Sequence, residues 1–547
     1  MSQQQTSTTI EGFEIENGCI CKLMPTKDGG QKKVKICHTP LKIKEILDNP
    51  ETGEVLYKLE FDSKEVVLTG EDISQRKGMM KLAGYGVKVA EKHGGDLAEY
   101  LVKNIAAGNH PRNYIYKCFG WKKDESFVLG KKKYSLTGID DVTIFPSSKL
   151  TEAVQEKGTI ANWIRSVSPM LKYNPQRFKM YIGVSPMLLE PLKESNYSMN
   201  DFGETSVGKT ITTKVAMSMY GNPKDLILSD STKVGMEYTA TQLCDIPVNL
   251  DDTQNTEKKN LVDILYMIAN GKGKLRGNLS GTQNVSQWRA VGMLTGEAPV
   301  IDDSTFKGLD ARLLEIKGGL GAFDKEAVEV FESSTSSNYG VFAPAVIGYI
   351  LTNIDTIKIK HQEHIDYIYE RKRELITDTA KNISSRVTDI FATILTSGYI
   401  FEEVYAYYGG EKKDYKEIIS NFYVTVVNEK ISDTYTSKAL DFIRGWVTSK
   451  RSNFLEDGNR ACDSNGNERQ YTIYGDITPT YIDIIATVLK EVLEKAGFNM
   501  RRIASDFKDI GLIDCSDRIR TQYVTTLEGK SVRVYRFIVS KYDTLYN

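Results

Sequence analysis

The sequence predicts an α/β protein in which a central α/β core lies between an N-terminal region of short strands and a C-terminal region rich in helices. Residues 151–318 alternate between helical and strand patterns, as strands covered by helices require. A glycine-rich segment typical of a strand-to-helix turn falls inside that stretch. The end of the chain has the order helix, turn, helix and hairpin.

We therefore expect four domains, which follow one another along the chain. A β-rich domain is predicted at residues 1–150 and the α/β core at residues 151–340. A helical region is predicted at residues 341–430 and a winged-helix-like domain at residues 431–547.

The composition indicates in which cellular compartment the protein is found, but it says little about binding partners. The chain has 547 residues and a net charge of −1, which indicates no particular ligand. The N-terminus lacks the pattern of a signal peptide, and no stretch of eighteen apolar residues occurs. The seven cysteines are scattered, which favours buried or free thiols over a metal site. These observations predict a reduced, cytoplasmic protein without membrane contact.

Short strands separated by turns are predicted in the N-terminal region, at residues 34–37, 54–61, 65–68 and 126–129. The same region holds an aromatic–cationic cluster: Tyr114, Tyr116, Phe119, Trp121, Lys122, Lys123, Lys131, Lys132 and Lys133. Surfaces that bind single strands combine such side chains, because bases stack on rings and cations meet phosphates. A solvated hairpin with ordinary core aromatics is the alternative, so DNA contact here stays open.

The segment at residues 203–210 fits the pattern G-x-x-x-x-G-K-[ST], which binds nucleotide phosphates. Its members are Gly203, Glu204, Thr205, Ser206, Val207, Gly208, Lys209 and Thr210. The glycines of such a loop let backbone N–H groups face the phosphates, the lysine reaches the β- and γ-oxygens, and the threonine hydroxyl binds Mg²⁺. The segment therefore predicts ATP and Mg²⁺ as cofactors.

The flanking residues bear on that prediction, because a phosphate loop follows a strand and opens a helix. Residues 211–220 have a helical pattern that Gly221 and Pro223 end. The segment at residues 197–202 contains alternating polar residues, so it differs from the usual buried apolar strand.

Two acidic residues follow an apolar run downstream of the loop. Asp251 lies 42 residues after Lys209, and Asp252 comes next. We expect Asp251 to hold Mg²⁺ and Asp252 to act on the attacking water. Many such ATPases have glutamate at the second position, and the shorter aspartate would slow hydrolysis or leave the task to another residue. A turn-forming acidic pair is the alternative.

Two more residues are candidates for contact with the γ-phosphate. Thr295 ends the apolar run at residues 291–295, and a strand beside the loop would bring its hydroxyl near that phosphate. Arg312 precedes an apolar strand and would reach the nucleotide of a neighbouring subunit, a role worth about 10³ to 10⁵ in rate. An ordinary core strand and a local salt bridge to Asp310 or Glu315 are the alternatives.

The order of these motifs resembles the AAA+ superfamily: the phosphate loop, Leu250-Asp251-Asp252, Thr295-Gly296-Glu297 and the Arg312 segment. Other segments resemble helicase-like proteins of phages and mobile elements: Gly120-Trp121, residues 127–130, residues 270–276 and Trp288-Arg289. The sequence is most similar to the MCM-like replicative helicases of staphylococcal cassette chromosome elements, over about residues 80–400.

The resemblance implies an AAA+ ATPase core with a helical lid, assembled as a homo-hexameric ring. It implies that Arg312 is an arginine finger. It also makes Arg386 the candidate for a second-sensor arginine that opens a lid helix, although a surface arginine would fit the pattern as well.

The resemblance further implies an insertion between Asp252 and Thr295 that carries a pore-facing hairpin. Lys272, Lys274 and Arg276 lie there among glycines and would contact DNA phosphates, or form a solvated turn. The implied function is an ATP-dependent helicase that acts on single-stranded and forked DNA during replication of a mobile genetic element. An ATP-switched DNA-binding or loading protein with slow hydrolysis is the alternative.

Helices are predicted for most of the remaining chain. Residues 340–409 are mainly helical in pattern, and amphipathic helices are predicted at residues 433–448, 480–496 and 500–509. A turn at residues 528–530 and a strand at residues 531–539 follow, which completes the layout of a winged helix.

Overall fold

A computed structural model describes residues 10–203, 208–229, 231–273, 277–278, 281–282, 286–300, 309, 311–317, 325–375, 385–432, 435–460, 471–515 and 521–543. The chain divides into two compact units. The first comprises Met1–Val300, Glu315–Gln362 and Thr393–Tyr415, and the second comprises Ile301–Leu314, Glu363–Ala392 and Lys416–Asn547. The domain boundaries predicted at residues 150, 340 and 430 remain predictions.

Three sheets form the N-terminal region. The first pairs Phe13–Glu16, Cys19–Pro25 and Gln31–Cys37 in antiparallel order. The second has the strand order Thr143–Ile144, Arg112–Tyr116, Lys42–Asp48, Val55–Phe61 and Lys64–Thr69. The third has the order Gly138–Asp141, Lys132–Ser135, Phe127–Leu129 and Gly120–Trp121. The four predicted strands are confirmed, with shifts of at most three residues at one end.

Helices also occupy this region, which the sequence analysis did not predict. They are Gly70–Ser74, Arg76–Gly84 and Gly94–Ala107. The longest one buries Leu97, Ala98 and Leu101, which join a hydrophobic cluster with residues of the first two sheets. The spacing of four between Leu97 and Leu101 is a helical signal that the strand-rich surroundings obscured.

A four-stranded sheet forms the centre of the first unit. Its strand order is Val248–Leu250, Val291–Gly296, Tyr197–Phe202 and Leu313–Lys317. The first three strands are parallel, with Leu250 and Asn200 both in register with Leu294. Their carboxyl ends therefore meet at one edge of the sheet, where ligands of parallel α/β sheets bind.

The polar strand Tyr197–Phe202 lies inside this sheet, and its residues 197–201 are buried. The Asn200 and Asp201 side chains find partners in the protein, whereas the Ser198 hydroxyl has none among the described residues. The Asn200 amide donates to Glu315 Oε1 at 3.2 Å, and Asp201 accepts from Lys179 at 3.1 Å. Hydrogen bonds thus replace the apolar contacts that a buried strand usually makes.

In the described residues up to 340, the remaining elements are helices and one hairpin. The helices are Lys149–Ala153, Ile160–Val167, Asn174–Val184, Pro186–Leu192, Lys209–Met217, Pro223–Leu226, Lys233–Gln242, Lys258–Asn270 and Lys325–Thr335. The hairpin pairs Gly277–Asn278 with Gly281–Thr282. Two long helices follow, Phe342–Leu375 with a kink at Asn353, and Ser385–Tyr407. They confirm the mainly helical character predicted for residues 340–409.

The end of the chain combines helices with a small sheet. The helices are Tyr415–Ser432, Tyr435–Ser449, Ala486–Lys495, Met500–Asp509 and Val539–Tyr542. The strand order is Phe454–Glu456, Gly475–Ile477, Tyr481–Ile485, Lys530–Ile538 and Ile513–Asp514, and Tyr523–Leu527 pairs with Lys530–Ile538. The predicted order of helix, turn, helix and hairpin is confirmed, and the helix Met500–Asp509 has its predicted bounds.

One prediction for this region is wrong. Residues 481–485 form a strand rather than the start of a helix, and the helix begins at Ala486. The strand pairs with both Gly475–Ile477 and Lys530–Ile538 and buries Ile482, Asp483 and Ile484. β-branched residues suit a strand buried on both faces, and the Asp483 carboxylate accepts two hydrogen bonds from the Arg536 guanidinium.

No helix in the described parts of the chain is both long enough and apolar enough to cross a bilayer.

Candidate functional site

The predicted phosphate loop lies at the carboxyl edge of the central sheet. Gly203 follows the strand Tyr197–Phe202, and its N–H donates to Gly296 O at 3.2 Å. Gly208 has a φ of 80° and caps the helix Lys209–Met217. A left-handed residue at that position favours glycine, which explains the fixed glycine of the motif. Glu204, Thr205, Ser206 and Val207 lie outside the described residues.

The helix after the loop confirms the predicted context, although it begins at Lys209 and not at Ile211. The Lys209 ammonium donates to Gly203 O at 3.0 Å, so the side chain turns back towards the start of the loop. A lysine in this position can reach a phosphate bound in the loop without a change of backbone.

Three oxygen-bearing side chains meet at the same edge of the sheet. Thr210 Oγ1 donates to Asp251 Oδ1 at 3.0 Å, and the Thr295 hydroxyl donates to the same carboxylate oxygen. Asp251 is held in turn by its backbone N–H, which donates to Leu228 O at 2.7 Å. The three side chains come from the loop helix and from two neighbouring strands. Carboxylate and hydroxyl oxygens are the donors that Mg²⁺ prefers, so this set fits the implied ion.

Asp252 lies beside this group in a left-handed conformation, with a φ of 64°. Its backbone N–H donates to Thr295 Oγ1 at 3.2 Å. Its carboxylate is exposed and accepts hydrogen bonds from the side chains of Gln254 and Asn255, the latter at 2.8 Å. The backbone of Asp252 thus belongs to the cluster, whereas its carboxylate stabilises the following turn, which is the alternative that the sequence left open.

A buried lysine lies beneath the loop, and the sequence analysis missed it. Lys179, on the helix Asn174–Val184, has a fully buried side chain, and its ammonium donates to Asp201 Oδ2 at 3.1 Å. It also donates to the hydroxyls of Thr212 and Thr213, both at 2.9 Å. Burial lowers the pKa of Lys179, and the Asp201 carboxylate acts against that shift. The only signal was a cation in an otherwise buried helix.

The two predicted arginines belong to the second unit. Arg312 lies in a turn before the strand Leu313–Lys317, and its N–H donates to Leu309 O at 2.8 Å. Arg386 lies at the start of the helix Ser385–Tyr407, where it is exposed. Their roles towards a nucleotide remain predictions.

The predicted insertion between Asp252 and Thr295 contains a hairpin, formed by Gly277–Asn278 and Gly281–Thr282. Lys272 is exposed where the insertion begins and pairs with Gln287 across it. Lys274 and Arg276 lie outside the described residues. The DNA contacts assigned to these three cations remain predictions.

Three members of the aromatic–cationic cluster of the N-terminal region are part of the core. The Lys122 side chain is 3% exposed, and its ammonium donates to Cys118 O at 2.9 Å and lies over the Tyr116 ring. Tyr116 and Phe119 are buried. The side chains of Lys132 and Lys133 form ion pairs with Glu156 and Asp124. Lys122, Tyr116 and Phe119 therefore do not form a stacking surface for bases, and the core alternative holds for them.

Segments that resembled helicase-like proteins meet at the opposite edge of the sheet, around Asp245. This carboxylate is fully buried and accepts from Arg289 Nε and Nη2, both at 2.6 Å. It also accepts from Trp121 N at 2.9 Å, while Trp121 Nε1 donates to Met187 O at 2.7 Å. Burial raises the pKa of Asp245, and the Arg289 guanidinium opposes that shift. The Gly120-Trp121 and Trp288-Arg289 segments therefore join the N-terminal region to the central sheet.

Fold and site together define an α/β protein with an oxygen-rich cluster of side chains at the carboxyl edge of its central sheet and a C-terminal order of helix, turn, helix and hairpin. Residues 13–288 match the family described as "Domain of unknown function (DUF927)", and residues 434–541 match the "Cch helix turn helix domain". Because the first match spans half of the chain, the protein belongs to the DUF927 family.

Solved structures add a similarity in fold. The chain is similar to "SCCmec type IV Cch - active helicase" with a TM-score of 0.69 and 20% identity, over 97% of this chain and 98% of the other. The predicted resemblance to helicases of cassette chromosome elements is thereby confirmed. A second solved structure, "The A form apo structure of NrS-1 C terminal region-CTR(305-718)", is matched with 11% identity over 90% of this chain and 95% of the other. Its TM-score is 0.31, which is too low to show a shared fold. No curated protein matches the sequence.

Proposed function

We propose that this protein is an ATP-dependent DNA helicase with an AAA+ core, which works as a homo-hexameric ring in the replication of a mobile genetic element. The observation that carries the proposal is the meeting of Thr210, Asp251 and Thr295 at the carboxyl edge of the central sheet. A loop hydroxyl within 3.0 Å of a strand carboxylate is the arrangement that a nucleotide-bound Mg²⁺ requires.

The residues around the loop have separate tasks in this proposal. Lys209 binds the β- and γ-phosphates, and Thr210 and Asp251 hold Mg²⁺. Mg²⁺ supplies charge neutralisation at the phosphates when it is bound. Thr295 orients Asp251 through its hydrogen bond and fixes the backbone of Asp252. Arg312 and Arg386 contribute positive charge at the γ-phosphate, Arg312 from a neighbouring subunit.

Two features support action on DNA. The fold similarity at a TM-score of 0.69 is to a protein described as an active helicase. The C-terminal match is to a helix-turn-helix domain, a class that docks a helix in the major groove. In the ring, six copies of Lys272, Lys274 and Arg276 would line the pore, and many weak phosphate contacts would act together on single-stranded or forked DNA.

Strand displacement with Mg²⁺-ATP tests the proposal. We expect Lys209→Ala to abolish unwinding of a forked duplex while circular dichroism stays unchanged, because the loop loses its phosphate cation. Lys214→Ala is the matched control, since Lys214 lies one turn further along the same helix and is partly exposed. Unwinding by the Lys209→Ala variant at the rate of the unaltered protein would contradict the proposal.

The second candidate function is an ATP-switched DNA-binding or loading protein with slow hydrolysis. It is favoured by Asp252, whose carboxylate is engaged by Gln254 and Asn255. Steady-state ATPase rates with and without single-stranded DNA separate the two functions. Stimulation of many-fold supports the motor, and a slow rate that DNA does not change supports the switch.

A further inference from the structure

The ammonium of Lys179 contacts both ends of the phosphate loop. On the strand side it binds Asp201, two residues before Gly203, at 3.1 Å. On the helix side it binds the hydroxyls of Thr212 and Thr213 at 2.9 Å each, and the Lys209 carbonyl oxygen at 3.4 Å. Three ammonium protons thus serve four acceptors, and these acceptors flank the loop.

The two threonines extend this contact to the backbone of the loop lysine. Thr212 Oγ1 donates to Lys209 O at 2.6 Å, and Thr213 Oγ1 donates to the same oxygen at 3.2 Å. Each hydroxyl accepts a hydrogen bond from Lys179 and donates one to Lys209 O, so the first turn of the helix is tied to the ammonium. Gln176, which lies on the same helix as Lys179, donates a hydrogen bond from its side-chain amide to Thr212 O at 3.2 Å.

Stability alone does not account for a charged pair at this place. Lys179 and Asp201 are both completely buried, and taking two such charges out of water costs several kcal/mol. An apolar pair of similar volume usually gives equal or greater stability. Among the described residues, Asp201 Oδ1 accepts no hydrogen bond, so the pair is not arranged for the greatest possible stabilisation.

The charges of the nucleotide site also act on Lys179. Burial is the largest influence on its pKa and lowers it, while the carboxylates of Asp201 and Asp251 raise it and the Lys209 ammonium lowers it again. The buried ammonium is therefore close enough to the loop lysine and to the Mg²⁺ carboxylate to sense both electrostatically.

We propose that Lys179 is a positioning residue of the nucleotide site, which fixes the spacing between the strand before the phosphate loop and the helix after it. This inference rests on the proposed function of the loop. Lys179 acts through the backbone of Lys209 and through Thr212 and Thr213, so that the strand before the loop and the helix after it are already in place before the phosphates bind. Binding then needs less ordering of the loop, which raises affinity.

The test compares the double variant Lys179→Met/Asp201→Asn with the unaltered protein. Removal of both charges avoids an unpaired buried charge, and thermal unfolding followed by circular dichroism shows whether the fold is retained. The affinity for mant-ATP with Mg²⁺ is then measured by fluorescence titration. We expect a melting temperature within a few degrees of the original and an affinity at least tenfold weaker.

A matched control is available at the other edge of the same sheet. The double variant Arg289→Met/Asp245→Asn removes the ion pair between the buried Asp245 carboxylate and the partly exposed Arg289 guanidinium, whose hydrogen-bond partners among the described residues lie outside the loop. We expect it to bind mant-ATP as the unaltered protein does, whatever its melting temperature. Its affinity separates a local effect on the loop from a general loss of stability.

Each result of this experiment is informative. A folded Lys179→Met/Asp201→Asn variant that binds mant-ATP with unchanged affinity overturns the positioning role and leaves the proposed function intact. If this variant and the control both lose affinity in proportion to their loss of stability, Lys179 is merely structural and the inference is wrong. An unaltered protein that binds no mant-ATP overturns the proposed function and this inference together.

Discussion

Two ion pairs, each with a buried carboxylate, lie at opposite edges of the central sheet, and they are built differently. At the carboxyl edge, the Lys179 ammonium distributes its protons over Asp201 and the loop helix. Before the amino ends of the strands, the Arg289 guanidinium gives two parallel hydrogen bonds to a single carboxylate, Asp245. A guanidinium fork fixes one partner in one plane, whereas an ammonium is a point charge that several partners can share.

The difference indicates separate tasks for the two edges. The Asp245 pair also receives the Trp121 backbone N–H, so it holds a turn of the N-terminal region against the sheet. Its geometry suits a permanent joint. The Lys179 pair ties the strand before the proposed phosphate loop to the helix after it through several shared contacts. Stability should therefore depend more on Asp245, and nucleotide binding more on Lys179.

The largest effect on folding is expected from Asp245→Ala. This change leaves the Arg289 guanidinium without its main partner and the Trp121 N–H without an acceptor. Because loss of one member of a buried ion pair costs about 3–5 kcal/mol, we expect the free energy of unfolding in urea to fall by about 3 kcal/mol. The partial exposure of Arg289, at 30%, places the effect at the lower end of that range.

Glu190→Ala is the control for this variant. Glu190 pairs with the same guanidinium at 3.2 Å but is 40% exposed. Exposed pairs contribute about 0–1 kcal/mol, so the free energy of unfolding should change by less than about 1 kcal/mol. Equal losses in the two variants would contradict the view that Asp245 is the centre of the joint.

A smaller loss of stability is expected from Gly120→Ala. Gly120 has a φ of 87°, and a Cβ there would overlap Asp245 Oδ2 and Cys244 O. A non-glycine residue in a left-handed conformation and a steric overlap in a packed region each cost about 1–3 kcal/mol. The melting temperature should therefore fall by several degrees. Gly138→Ala, at a φ of 150° with open space around it, serves as a comparison and should have a smaller effect. A Gly120→Ala variant as stable as the original would show that the turn can separate from Asp245 at no cost.

At the nucleotide edge, Thr295→Val should change catalysis and leave the fold intact. Valine keeps the shape of threonine but loses the hydrogen bonds to Asp251 and to the Asp252 backbone. We expect kcat for ATP hydrolysis to fall by about tenfold, because the Asp251 carboxylate loses its orientation and the Asp252 backbone loses a hydrogen bond, while the Kd for nucleotide stays constant. A fall in affinity with unchanged kcat would instead assign Thr295 to binding.

Local patterns were sufficient wherever a feature depends on adjacent residues. The G-x-x-x-x-G-K-T spacing predicted a turn between a strand and a helix, because a phosphate loop needs this context, and the helix follows at Lys209. The apolar runs before Asp251 and Thr295 predicted two strands, and these lie side by side in the sheet. The helix Met500–Asp509 was predicted to the residue from its amphipathic pattern, and in the structure the Asn499 side chain caps it.

Tertiary contacts decided what the local patterns left open or misjudged. Residues 481–485 have helix-compatible spacing, yet pairing with two strands and the Asp483–Arg536 ion pair make them a strand. The polar strand Tyr197–Phe202 looked unsuited to a core until Lys179 and Glu315 supplied partners for its side chains. Lys122, Tyr116 and Phe119 looked like part of a binding surface, and burial made them part of the core, whereas Tyr114 is exposed.

By itself, the sequence determined the phosphate loop, its helix and the acidic residues downstream, because each depends on the spacing of neighbouring residues. Only the tertiary structure decided that Thr210, Asp251 and Thr295 share one carboxylate oxygen, and that Lys179 binds both ends of the loop. These contacts join residues far apart in the chain. Their hydrogen bonds depend on which strands are neighbours and which helix covers them, and a local pattern does not contain that information.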